Sequence, residues 1–167
     1  MDAYDDVLAA NAVYAEKFHD PGRPGRAARG LAVVTCMDSR ISPLEMLGLE
    51  PGDAKILRNA GARVTDDVLR TLVLAVHLLD VNRIMVVAHT DCRMTKVTDD
   101  EIHAEMLTRG IDTRSLEFRT TSDQLKELAR DVQRIRSSPY LPKDLPVIGA
   151  VYDVVTGLID VAVPAAS

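Results

Sequence analysis

The chain has 167 residues, 47% of them hydrophobic and only 4% aromatic, with a formal charge of -5 at pH 7. This predicts one globular domain over residues 1–167 and argues against disorder and against a phosphate-backbone partner, so no nucleic acid is expected. The longest apolar stretch, residues 72–79, falls well short of the ~20 residues that span a bilayer, and the start of the chain lacks the basic, apolar pattern of an export leader. A soluble cytoplasmic protein with no membrane partner is the expectation.

Tyr4, Val7, Leu8, Tyr14 and Phe18 fall near helical spacing, which predicts an amphipathic helix over residues 1–20, with Asp2 or Asp5 near its start and Pro21 at its end. Residues 21–30, with two Pro, three Gly and three Arg, read as an exposed linker. The apolar run 31–36 predicts a strand covered on both faces. Ser42, Pro43 and Glu45 match the N-cap, first helical position and capping-box residue of a short helix reaching Leu47. Pro51, Gly52 and Asp53 turn into a second strand over 54–57, left by a loop over 58–61. Thr65, Asp66 and Asp67 cap a helix to residue 79.

A third strand is predicted over 83–88, then helices over 99–109 and 122–136, the last with Leu125, Leu128, Val132 and Ile135 on one apolar face. Two final strands, 147–152 and 158–163, flank a turn at Val155, Thr156 and Gly157. Strands alternating with helices predict an α/β fold. Its centre is a mostly parallel sheet of four strands, with an antiparallel fifth strand at the edge and helices on the faces.

Cys36 ends the first strand, and His89 and Cys92 lie in the loop after the third. If those strands are parallel neighbours, their carboxyl ends meet in the crevice where open α/β sheets place their chemistry. Two thiolates and an imidazole would hold one Zn2+, leaving a fourth position for water or a carboxylate. Taken singly, a strand-end cysteine is more often an inert small apolar residue, and a loop histidine more often solvated. The joint pattern carries the argument, and three protein ligands favour a catalytic over a structural ion. In a reducing compartment a disulfide between these two cysteines is disfavoured. Asp38 either ligates the ion or hydrogen-bonds its water, and an Arg40 fork would keep it ionised and off the metal. His77 reads as a packing histidine within an apolar helix and His103 as an exposed helix residue; neither is assigned to the metal.

Cys36, Asp38, Ser39 and Arg40, with His89 and Cys92, resemble the two zinc motifs of β-class carbonic anhydrases, small bacterial type. Arg58, Asn59, Ala60 and Gly61 resemble that family's loop after the second strand. The resemblance implies one Zn2+ per chain on Cys36, His89 and Cys92 and a catalytic dyad of Asp38 and Arg40. It further implies reversible hydration of carbon dioxide to bicarbonate through a zinc-bound hydroxide. It also implies a homodimer, or a dimer of dimers, with residues 1–20 as a dimerisation helix in which Tyr4, Val7, Leu8 and Phe18 touch the partner. Carbonyl sulfide or carbon disulfide hydrolysis on the same scaffold is the nearest alternative, and a non-enzymatic zinc or redox sensor a more distant one. One departure stands out: Arg93 occupies a position where the family usually has Gly. Backbone strain and a cation crowding the cleft are expected there.

Overall fold

The computed structural model describes residues 3–166. Its strands are β1 (Leu31–Cys36), β2 (Ala54–Asn59), β3 (Arg83–His89), β4 (Val147–Tyr152) and β5 (Ile159–Val163). They form one sheet in the order β2-β1-β3-β4-β5, in which the first four strands run parallel and β5 lies antiparallel on β4 at the edge. The expected architecture is the observed one. The chain steps outward from β1 to β2, then crosses back to β3 on the other side of β1. This reversal opens a crevice at the carboxyl ends of β1 and β3, where neighbouring connections leave in opposite directions.

β1 is buried along its whole length, as its unbroken apolar run requires. Because successive side chains point to opposite faces, Ala32 and Val34 join one core and Leu31 and Val33 another. The larger core packs the sheet against Val68, Leu72 and Ala75 of helix α2 (Asp66–Leu78) and against Leu128, Val132 and Ile135 of helix α4 (Gln124–Arg136). Full burial of one such Leu or Ile contributes roughly 1.5–3 kcal/mol. The opposite face is covered from within the chain by Leu44, Met46, Leu47 and Leu49.

The remaining helices are α1 (Asp5–Lys17) and α3 (Asp99–Thr108). In α1, Asp5 and Asp6 occupy the first turn and Lys17 the last, matching the helix dipole; Met1 and Asp2 lie outside the described residues. Nothing in α1 is buried within its own chain, and Tyr4, Val7, Leu8, Val13, Tyr14 and Phe18 are all exposed. Among the described residues no helix is long and apolar enough to cross a membrane.

Several local expectations are corrected. The short helix at 42–47 is a single 3-10 turn, Glu45–Leu47, without a side-chain cap. Gly48 at φ 61° ends it after one turn: the Met46 N–H bonds to the Ser42 carbonyl, but those of Leu47 and Gly48 bond only three residues back, to Leu44 and Glu45. The linker 21–30 lacks regular structure but is not exposed throughout. Ala27 and Gly30 are buried, and the N–H groups of Ala27, Ala28 and Arg29 bond to the carbonyls of Leu79, Gly52 and Asp53.

β2 and β3 both run past their expected ends, because β2 pairs with β1 as far as Cys36 and Asn59, and β3 with β4 as far as His89 and Tyr152. His89 is therefore a strand residue, not a loop residue. Leu125 is exposed; the inner stripe of α4 instead includes the buried Asp131. His77 is exposed, its Nε2 2.8 Å from the Tyr140 carbonyl. His103 is half-buried against Phe118, with Nδ1 2.9 Å from Thr113 Oγ1.

Candidate metal centre

β1 and β3 are adjacent and in register at Thr35 and Val87, so Cys36 and His89, one and two residues further on, finish neighbouring strands at the same edge. Cys92 returns to them three residues after His89, just before the 3-10 turn Arg93–Thr95. All three residues are buried, and their donor atoms lie within 4.8 Å of one another. The separation expected of β1 and β3 chemistry in the sequence is closed by the parallel pairing itself.

The imidazole is oriented for a cation. His89 Nδ1 lies 2.8 Å from the Thr90 carbonyl, a contact that needs the proton on Nδ1 and leaves the Nε2 lone pair free. Nε2 is buried and has no hydrogen-bond partner among the described residues. A buried, unpartnered nitrogen aimed at two thiols is a poor stabilising feature by itself and a good ligand. Gln124 of α4 holds the His89 carbonyl through Nε2 at 3.0 Å. The Thr90 hydroxyl in turn accepts from the Val154 N–H at 3.1 Å.

The two thiols share their charge. A hydrogen bond from Cys92, aided by the backbone N–H groups of Gly61 and Asp38, holds the Cys36 thiol well below its ordinary range despite its burial. The same contact, with burial, pushes Cys92 far above an ordinary thiol. A proton shared between two sulfurs is one that a divalent cation would displace. Gly61 N–H lies 3.4 Å from Cys36 Sγ. Its φ of 80° and the approach of Met94 Cγ to 3.3 Å from a would-be Cβ make glycine the fitting residue there. Ile41 and Ala62, with Met46, Met94 and Tyr152, form the apolar surround of the two cysteines.

Asp38 stands beside this cluster, not among its donors. Arg40 grips it in a fork, Nε to Oδ1 at 3.0 Å and Nη2 to Oδ2 at 2.8 Å, and the Arg40 N–H adds a bond to Oδ1 at 3.0 Å. These bonds hold the Asp38 carboxyl well below the usual carboxylate range and raise Arg40 correspondingly. Asp38 Oδ2 is 3.8 Å from His89 Nε2. Arg58 fixes the turn behind it, donating from Nε to the Cys36 carbonyl at 2.9 Å and from Nη2 to the Asp38 carbonyl at 2.6 Å.

Two neighbours escape the sequence reading. Asp91 accepts from Arg40 Nη1 at 2.8 Å and pairs with Lys96 through its other oxygen. Its position between His89 and Cys92 was the available signal, but its partner Arg40 lies 51 residues away. The strain expected at Arg93 is absent. Arg93 opens the 3-10 turn with an exposed side chain, and the left-handed residue of this loop is Asp91, at φ 59°.

A family profile described as carbonic anhydrase matches residues 31–135. The chain is 34% identical to "Beta-carbonic anhydrase 1" of Mycobacterium tuberculosis, over 98% of this chain and all of that one. It is 35% identical to "Carbon disulfide hydrolase" of an Acidianus species, over 77% of this chain and 74% of that one. Among solved structures it superposes on a carbonic anhydrase from Streptococcus mutans with a TM-score of 0.91 and 36% identity, over 97% and 98% of the two chains. Likeness along nearly the whole length, in fold as well as in sequence, establishes that this chain belongs to the β-class carbonic anhydrase family.

Proposed function

We propose that this protein hydrates carbon dioxide reversibly to bicarbonate and a proton, using one Zn2+ per chain held by Cys36, His89 and Cys92. The observation that carries this reading is the triad of buried donors, mutually within 4.8 Å, beside a carboxylate that an arginine holds apart. Two thiolates and one imidazole suit zinc, which is borderline soft and accepts mixed sulfur and nitrogen ligands. When bound, zinc supplies the Lewis acidity that makes water a nucleophile near neutral pH.

The protein's own groups do the rest. Asp38, kept ionised by Arg40, can only accept hydrogen bonds, so it orients the O–H of the nucleophile and turns a lone pair towards the carbon of the substrate. Arg40 acts through Asp38: by occupying both carboxylate oxygens it keeps that side chain from closing the metal's fourth position. The apolar surround of the thiols suits an uncharged linear substrate and keeps competing polar side chains away from the metal ligands. Arg40 and Asp91 are each about half exposed, so the released proton has a short way to solvent.

The partner we infer is a second copy of the chain, reached through the exposed apolar residues of α1. Two free cysteines suit a reducing compartment such as the cytoplasm.

Similarity to the Acidianus carbon disulfide hydrolase favours a second reading, hydrolysis of carbon disulfide or carbonyl sulfide at the same centre. Stopped-flow hydration of carbon dioxide by the zinc-loaded protein across pH, run beside sulfide release from both sulfur substrates, separates the two. Hydration that is lost in Cys36→Ser and Asp38→Asn is the expected result. Sulfide release without hydration would replace the first reading with the second.

A further inference from the structure

Arg40 serves two carboxylates at once. Beyond its fork on Asp38, it donates from Nη1 to Asp91 Oδ2 at 2.8 Å and from Nη2 to the Asp91 carbonyl at 3.2 Å. Asp91 Oδ1 is taken by Lys96, so anions and cations alternate along Asp38, Arg40, Asp91 and Lys96. Asp91 can turn its carbonyl and its carboxylate to the same guanidinium because its backbone is left-handed, a conformation that Asp tolerates better than most residues.

We propose that Asp91 is a positioning residue for the reaction, clamping Arg40 from the side opposite Asp38 so that the fork holds Asp38 in one orientation. This rests on the roles given above to Asp38 and Arg40. Charge alone argues the other way, since a second carboxylate competes with Asp38 for the same cation. Arg40 is 44% exposed, however, and at that exposure solvent and salt screen the competition. The loss of rotamer freedom in a long arginine is not screened, and a second anchor from another loop supplies that order in advance. The clamp also joins the Cys36–Arg40 turn to the His89–Cys92 turn, the two segments that carry the donor triad.

The test combines NMR of the metal-free protein with kinetics of the zinc-loaded one. In metal-free wild type, the Arg40 Nε–H should give a distinct, slowly exchanging resonance, which Asp91→Gly should shift towards those of solvent-averaged arginines. In the zinc enzyme, Asp91→Gly should lower kcat about three- to tenfold with KM within about twofold, the signature of a misaimed group. Asp91→Asn keeps a side-chain oxygen and tolerates the same backbone, so it should recover kcat to within about twofold. An Arg40 resonance averaged with solvent in wild type overturns the clamp, whatever the variants do, and so decides the matter even where Asp91→Gly does not fold. A wild-type kcat in Asp91→Gly, with Arg40→Gln inactive, overturns the clamp alone. Full hydration by Arg40→Gln would instead overturn the role given to the Asp38 and Arg40 pair.

Discussion

Arg63 Nε donates to Asp131 Oδ2 at 2.7 Å, joining the turn after β2 to the inner stripe of α4 across 68 residues of chain. Arg63 also donates from Nη2 to Glu127 at 2.7 Å and from Nη1 to the Arg119 carbonyl at 2.9 Å. Arg63 and Asp131 are largely out of water. Arg63→Met would leave Asp131 as a buried charge without its cation, which costs about 3–5 kcal/mol. In a chain of this size the melting temperature should fall by roughly 6–20 °C. Pairing that change with Asp131→Leu should recover much of the loss. A single variant that melts with wild type would show the pair to be idle.

Gly149 on β4 lies under α4. A Cβ there would sit 2.9 Å from Leu128 Cγ and 3.0 Å from Val132 Cγ2, closer than packed carbons approach. Gly149→Ala must displace the Leu128 and Val132 side chains or the helix that carries them, and should destabilise by about 1–3 kcal/mol. Urea denaturation measures this directly, and an unchanged midpoint would mean that α4 yields freely.

Metal content gives a graded prediction. Cys36→Ala and His89→Ala each remove a donor, and zinc affinity measured by competition with a chelator should fall by more than the roughly 10- to 100-fold typical of outer partners. Gln124→Ala removes only the hand on the His89 carbonyl and should stay within that range. Equal effects from Gln124 and His89 would contradict the assignment of the imidazole as ligand.

Asp99 predicts an acid transition of its own. Burial opposes its ionisation, but bonds from the Thr120 hydroxyl and from the N–H groups of Thr120, Phe118 and Arg119 outweigh it and hold the carboxyl below 3.8. Because the folded value is the lower one, the unfolded chain takes up the proton first as pH drops. The stabilisation is therefore complete above about pH 5 and is lost as pH falls through the folded value. NMR cross-peaks of Phe118, Arg119 and Thr120 should move together with one midpoint below 3.8. A midpoint above that value would reverse the sign.

The exposed side chains of α1 predict association. Leu8→Glu or Tyr14→Glu should shift the sedimentation coefficient from that of a dimer to that of a monomer. A monomeric wild type, or dimers in both variants, would remove α1 from the interface.

The make-up of the sheet, four parallel strands and an antiparallel edge strand, was legible because β1 and β3 are continuous apolar runs and the helix before β3 carries plain N-terminal signals at Thr65, Asp66 and Asp67. The donor triad was legible because both cysteines fall at or just beyond strand ends. What escaped was decided by groups distant in sequence. The length of β3, and with it the strand placement of His89, comes from pairing with Tyr152. The contact of Asp91 depends on Arg40 arriving from the turn after β1, and the buried place of Asp131 on Arg63. Strain was sought at Arg93 because glycine is usual there, whereas the positive φ falls two residues earlier, at an aspartate suited to it.

Cys36 and His89 finish neighbouring central strands, so an ion held between them would act as a rivet through the middle of the sheet. A ligand that binds only the folded form stabilises it by mass action. Chelation should therefore shorten the life of the protein under heat or protease, and the zinc supply of the cell would govern how much of it survives as well as how fast it works.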